Sequence, residues 1–431
     1  MNNITKRKLF LLWVPLAIMW IVMATEQPMI TSFITRMPDA TNQLAAFGYS
    51  FALALFIEGP VVQMLSAGTA IVKSISSYKK ILRVMNFLSL ITVTLHLILC
   101  IPFVFDFIAI NLFNLPTDLL DSAYWCFVLL IPWAPSIGYR RLWQGVMIAH
   151  SRSKYVPVVM YVRIAIAFII LFIGTKFWNI SGALLGGFTL SLGVISGMIT
   201  AYVLAKPALD KLPETDNENL NFKQMVHFYI PLAITSWITL GVRPLLNLGI
   251  TKGAFPVESL AIWPVILAYL FLYTSISQSL QEIIIAEYKK ENIKNIKGFV
   301  NIVAISLTVL FFVIYLNKPL LNIWFINVSR VPQNLLHYLP ISLLLMSLIP
   351  FIGAKIAFYR ATLVSIRDTS SITVGVFLNV FTLLLSILIL PLFFDVAGVY
   401  IASIAYALSF FMEVMYLLFR INYLNKTKSI F

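Results

Sequence analysis

Twelve apolar runs, each long enough to cross a bilayer, constrain this chain more than any other feature. Roughly 20 helical residues span the hydrocarbon core, and a single run can satisfy its own backbone there only as a helix. The runs lie at about 10–35, 44–72, 84–105, 120–139, 155–175, 179–205, 225–250, 259–285, 299–316, 338–359, 371–393 and 396–419. Only 11% of the 431 residues are charged, against about 25% in a soluble domain. That excludes a soluble enzyme, a disordered protein and a secreted disulfide scaffold. Cys100 and Cys126 lie in or beside apolar runs, with neither a disulfide framework nor zinc spacing. The first run is too long for a signal peptide and lacks a small-residue cleavage site after its basic flank, so it is expected to be a span.

Basic residues orient the runs, because Lys and Arg accumulate on the cytoplasmic side. With the N-terminus inside, 23 of the 31 basic residues fall in inner segments and 5 in outer loops, while Arg163, Arg243 and Lys355 fall inside spans. Both termini are then cytoplasmic. The formal charge of +14 is a topology signal, not a nucleic-acid footprint, since no basic face with a fold to present it is evident.

The longest inner polar segment, Lys206 to Lys223, holds two prolines and the acidic run Glu214-Thr215-Asp216-Asn217-Glu218. It reads as a linker (206–223) between an N-terminal half (1–205) and a C-terminal half (224–431). The halves resemble each other at an ungapped offset of 216. Val14-Pro15-Leu16-Ala17-Ile18 faces Ile230-Pro231-Leu232-Ala233-Ile234, Pro28 faces Pro244, and Gly182 faces Gly398. Six spans per half is an even number, so the repeats are parallel, as in one class of transporter. The expected fold is an all-α membrane protein of twelve transmembrane helices in two parallel six-helix halves.

Ionisable groups inside spans are costly, and each admits a functional reading as a ligand or a structural reading as a paired or snorkelling group. Glu26, Gln27 and Arg243 lie one or two residues before Pro28 or Pro244, where a proline frees carbonyls and kinks the helix. At the offset, Gln27 faces Arg243. Such broken, polar spans suit a transporter gate or binding site; the alternative is one Glu26–Arg243 salt bridge. Glu58 and Arg163 share the inner half of the membrane and could pair. Lys355 is a third intramembrane base, while Glu282 and Glu413 read as structural groups near the cytoplasmic edge. Pro132 and Pro350 mark further kinks, followed by Arg140-Arg141 and Tyr359-Arg360, an echo displaced by a small indel. These arginines read as inner-interface anchors or as a positive inner vestibule. The aromatic residues read as interface belts or packing, and the four histidines as structural.

No phosphate-cradling Gly-x-x-x-x-Gly-Lys loop, His-Glu-x-x-His or Gly-x-Ser-x-Gly is present. No catalytic residue, resident metal or cofactor is therefore expected. Gradient-driven transport is the leading class, with H+ or Na+ as a coupling ion.

Several short motifs carry a resemblance along nearly the whole chain. They are Glu26-Gln27, Leu44-Ala45-Ala46-Phe47-Gly48, Gly59-Pro60, Phe228-Tyr229-Ile230-Pro231-Leu232-Ala233, Arg243-Pro244 with Asn247-Leu248, Leu280-Gln281-Glu282-Ile283, Arg360-Ala361, Leu390-Pro391 and Gly398. With the two-half architecture, they resemble the MATE-like fold of the multidrug/oligosaccharidyl-lipid/polysaccharide (MOP) exporters, and within it the progressive ankylosis protein family. The resemblance implies export of small organic anions such as citrate, nucleotides or pyrophosphate, and adds Asn247 to the candidate site. The chain departs from the family in its small outer loops and in Thr25, where the family has glycine. Guanidinium chemistry leans the same way, since Arg243, Arg163 and Lys355 could meet carboxylates or phosphates. The expectation is a secondary active transporter working by alternating access between two halves. Glu26 would be the gate or coupling carboxylate and Arg243 the anion ligand. Its partners would be the lipid bilayer and a small-molecule substrate, with no nucleic acid. A monomer in the inner or plasma membrane is expected. The rival readings are H+- or Na+-coupled efflux of organic cations, with Glu26 or Glu58 as the cation site, and a flippase for lipid-linked oligosaccharides.

Overall fold

The computed structural model describes residues 4–111, 116–215, 221–250, 253–329, 331 and 333–428. Among them there is no strand, only an isolated bridge between Ala254 and Ala397. The first repeat contributes α1 (Lys6–Ala24), α2 (Glu26–Ile34), α3 (Ala40–Glu58), α4 (Met64–Ile71), α5 (Ile75–Leu99), α6 (Pro102–Asn111), α7 (Leu120–Leu129), α8 (Trp133–Ala149), α9 (Val156–Phe177) and α10 (Gly182–Leu209). The second contributes α11 (Phe222–Ile250), α12 (Pro256–Glu287), α13 (Ile293–Leu316), α14 (Lys318–Asn322), α15 (Leu339–Leu345), α16 (Ile349–Ser365), α17 (Thr369–Phe393) and α18 (Gly398–Lys428).

The offset of 216 read from the sequence recurs in the helix boundaries. The stretch from α1 to α2 covers 6–34 and α11 covers 222–250; α3 to α4 covers 40–71 and α12 covers 256–287. Helices α8 and α16 run 133–149 and 349–365, and α10 and α18 begin at 182 and 398. No indel separates α8 from α16, which corrects the expected echo. At the ungapped offset Arg360 matches Gln144, and Arg140 lies one helical turn earlier.

Nine helices among the described residues are long and apolar enough to span a membrane, or ten if Leu335–Leu345 and Ile349–Ser365, bent by 45°, count as one span. The runs at 10–35 and 225–250 fall outside this set. The first breaks at Thr25 into helices of 19 and 9 residues. The second forms α11, a helix of 29 residues in which the side chains of 241–245 and 247–249 lie outside the described residues. Large apolar side chains point outward along the helices, Phe103 and Leu392 each 79% exposed. That pattern suits a surface solvated by lipid tails, since water would penalise it.

The breaks have local causes. Pro28 has no N–H for the carbonyl of Ala24, four residues back, and the helix restarts at Glu26. Gly59-Pro60 interrupts the path from α3 to α4 with a single 3₁₀ turn. Pro132 caps the start of α8. The interruption before Pro132 leaves carbonyls at the end of α7 in need of donors. His96 Nε2 donates to the Phe127 carbonyl at 2.9 Å, and the Ser191 hydroxyl donates to that of Leu129 at 2.5 Å.

The chain forms two compact units. The N-unit is Ile18–Trp237, and the C-unit is Met1–Ala17 with Ile238–Phe431. The division falls inside α1 and α11. In the N-unit, the start of α11 packs on the α3–α4 break. Tyr229 donates to the Pro60 carbonyl at 2.7 Å, and Trp237 Nε1 donates to the Phe56 carbonyl at 2.9 Å. In the C-unit, Trp13 stands at the position matching Tyr229. Its Nε1 donates to Ser279 Oγ at 2.7 Å, which in turn donates to the Ile276 carbonyl, matching Pro60, at 2.6 Å.

Candidate functional site: a buried charge cluster in the N-unit

Residues 133, 140 and 144 share one face of α8, because spacings of seven and four return to the same side of a helix. All three, Trp133, Arg140 and Gln144, are buried. Helix α9 adds buried Arg163, the first turn of α2 adds Glu26, and the end of α3 adds Glu58.

Arg163 and Glu26 form a two-bonded pair. Arg163 Nε donates to Glu26 Oε1 at 2.6 Å, and Nη2 donates to Oε2. The fork geometry matches a carboxylate and fixes both groups. Glu26 also opens α2, where the helix dipole favours an anion. The Arg163 guanidinium lies 5.4 Å from the Trp133 ring centre, and Trp133 Nε1 donates to Glu58 Oε2 at 2.9 Å. Glu58 and Arg163, expected as a possible pair, thus share one cluster through Trp133 while Arg163 binds Glu26.

Arg140 is different. It is 2% exposed, its Nε has no hydrogen-bond partner, and Nη1 donates to the Met160 thioether at 3.2 Å. Sulfur is a weak acceptor, and a buried cation without a carboxylate is costly. Gly193 and Gly197 of α10 leave room for both arginine stems. A Cβ on Gly197 would lie 3.2 Å from Arg140 Cδ and 3.6 Å from Arg163 Cβ.

The C-unit solves the matching problem with a built-in carboxylate. Arg360 Nε and Nη2 donate to Glu413 Oε1 at 2.8 and 2.5 Å, and Asn379 Nδ2 donates to Oε2 at 3.0 Å. At the offset, Asn379 matches Arg163 and Glu413 matches Gly197. Lys355 contacts Asn301 Oδ1 and lies 5.2 Å from the Phe351 ring centre.

Gln27 follows Glu26 with its buried Nε2 unpartnered. Pro350 lies in the first turn of α16, just after the 45° bend. Helix α11 continues through Pro244. The side chains of Pro28, Arg243, Pro244 and Asn247 lie outside the described residues. From sequence, Arg140 reads as an inner-interface anchor or part of a positive inner vestibule and Trp133 as belt or packing, neither as a partner of Glu26, Glu58 and Arg163. The signal that finds them is the apolar-face spacing 133, 137, 140, 144, which places an arginine where a core residue belongs. Among the described residues, no three His, Cys, Asp or Glu side chains come together to hold a metal ion.

No curated protein sequence matches the chain. Solved structures match over nearly its full length. A MOP superfamily transporter from Pyrococcus furiosus, described as having a binding pocket of reversed polarity, is 11% identical with a TM-score of 0.76, covering 98% of this chain and 97% of that one. An outward-facing multidrug resistance MATE transporter is 12% identical with a TM-score of 0.73, covering 97% of each chain. The Vibrio cholerae MATE transporter VcmN, in a mutant form, is 14% identical with a TM-score of 0.72, covering 99% of this chain and 98% of that one. At these identities the likeness shows the fold alone. The fold is an all-helical one shared with MATE transporters, and with nine or ten membrane-crossing helices among the described residues the chain is a multi-pass integral membrane protein. A model of the progressive ankylosis protein family (ANKH) matches residues 3–252, more than half of the chain, and the chain therefore belongs to that family of membrane transporters.

Proposed function

We propose that the protein is a secondary active exporter of small organic anions of the citrate, nucleotide or pyrophosphate class. It works as a monomer in the plasma or inner membrane, by alternating access coupled to H+ or Na+. Twelve spans, with both termini cytoplasmic, complete the topology. The observation that carries the reading is Arg140, a buried guanidinium with an unpartnered Nε, next to the Arg163–Glu26 pair. Guanidinium makes paired, charge-assisted bonds to both carboxylates and phosphates. Membership of the progressive ankylosis protein family supports it.

The test is release from liposomes containing the purified protein, loaded with labelled citrate and ATP, with a cationic dye loaded in parallel. Anion release above protein-free liposomes is expected, and Arg140→Gln should lower it about tenfold or more, the worth of one charged hydrogen bond. Dye release without anion release overturns the reading. Efflux of organic cations is the second reading, because the Glu58 carboxylate meets an indole N–H in place of a cation. Its signature is dye release lost in Glu58→Gln.

A further inference from the structure

The two repeats differ at one position in a way that bears on substrate recognition. In the C-unit, the carboxylate of Glu413 on α18 neutralises Arg360 and is held by Asn379. In the N-unit the matching position on α10 is Gly197, and the residue matching Asn379 is Arg163. The N-unit therefore has two arginines facing residue 197 and no side-chain carboxylate on it. Glu26 partly offsets this, but its two oxygens are both taken by Arg163. Glu58 is held by Trp133. Arg140 keeps only a thioether contact, and its Nε is buried without a partner.

We infer that the N-unit takes an oxyanion of its cargo, a carboxylate or a phosphate, onto Arg140 beside Gly197, at the place where the C-unit carries the carboxylate of Glu413. The inference rests on the anion-export reading and names the group that would recognise the anion. A carboxylate and a phosphate each offer the two adjacent oxygens that a guanidinium fork accepts. Binding exchanges the weak Met160 sulfur contact for charge-assisted bonds, and it gives Arg140 the bonded oxyanion that neither Glu26 nor Glu58 supplies. Glycine at 197 places no charge of its own beside Arg140. A glutamate there would fill the position from within the chain and close the site, as Glu413 does in the other unit.

The substitution Gly197→Glu is thus the decisive variant. Labelled citrate and labelled pyrophosphate are each tested for binding to the full-length purified protein, as wild type, Gly197→Ala, Gly197→Glu and Arg140→Gln. Thermal unfolding is followed alongside. Gly197→Ala measures the steric share, because even its Cβ meets Arg140 Cδ at 3.2 Å. Gly197→Glu is expected to bind at least about tenfold more weakly than Gly197→Ala while unfolding at a similar or higher temperature, since it completes a buried ion pair. Arg140→Gln is expected to lose binding to a similar extent. Loss confined to citrate assigns the site to carboxylates, and loss confined to pyrophosphate assigns it to phosphates. Wild-type protein that binds neither anion overturns the export reading itself. Wild-type binding that persists undiminished in folded Gly197→Glu or in folded Arg140→Gln overturns this inference alone.

Discussion

Arg163 and Glu26 are 137 residues apart in the chain and share two hydrogen bonds in the N-unit. Removing one member of such a buried pair leaves the other charge unsolvated, at a cost of about 3–5 kcal/mol, whereas removing both costs much less. Arg163→Gln is therefore expected to destabilise the detergent-solubilised protein by about that amount, with Glu26→Gln/Arg163→Gln recovering part of the loss. Unfolding curves of the three variants measure the coupling; additive losses would show that the pair contributes nothing. His150, in the turn after α8, is a second case outside the spans. Its Nε2 donates to the Val72 carbonyl at 3.0 Å, and burial lowers its pKa from the ordinary 6.5. The folded protein holds the neutral ring, while the unfolded chain gains a proton as pH falls below 6.5. Its contribution to stability is present above pH 6.5 and is lost as pH falls toward the lower folded pKa. His150→Gln should flatten the fall in stability between about pH 7 and 5, read as melting temperature against pH. The sequence made Glu26, Glu58 and Arg163 visible, because a charge inside an apolar run has a cost that demands a reason. It left their partners open, since pairing is a matter of distance in space. His96 and His150 each bind a backbone carbonyl, a structural use of the ring.

At the scale of elements, a helix interruption is stable only where other groups meet the freed carbonyls. Pro60 cannot donate to the Phe56 carbonyl four residues back, and Trp237 Nε1 donates there at 2.9 Å while its ring stacks on Phe56 at 6.1 Å. Gly59 makes the approach possible, because a Cβ there would lie 2.1 Å from Trp237 Cδ1. Trp237→Phe keeps the stacking and removes the donor, so a loss of about 1 kcal/mol is expected. Gly59→Ala should cost about 1–3 kcal/mol by overpacking. It should cost less in a Trp237→Ala background, where the colliding ring is gone; equal costs in the two backgrounds would refute the role given to this contact. Breaks are only partly legible in sequence. Pro28, Pro60, Pro132 and Pro350 all sit beside interruptions, yet α11 and α12 continue through Pro244 and Pro264. Proline removes a hydrogen bond in every case, and its surroundings decide whether the helix ends or continues.

At the scale of the molecule, the apolar runs determined that the chain is a helical membrane protein. Hydrocarbon admits no other use of such segments, and that requirement is local to each run. The repeat was equally legible. An offset read from a few matched residues reappears in the ends of α2 and α11, of α4 and α12, and of α8 and α16. Only the tertiary structure decided which residues make a compact unit. The polar stretch 206–223 parts the repeats in sequence, whereas the units part within α1, after Ala17, and within α11, after Trp237. The physical reason is packing. Trp13 is bound to Ser279 in the C-unit, and Tyr229 to Pro60 in the N-unit, so the start of each leading helix joins the other repeat. The tertiary structure also decided the meaning of the charges. Matching positions carry Gly197 in one repeat and Glu413 in the other, and neither residue type alone reveals that the first leaves an arginine short of a carboxylate while the second supplies one. Burial and distance make that difference. A local pattern determines what a segment must become, and contacts between distant segments decide which charges are already balanced.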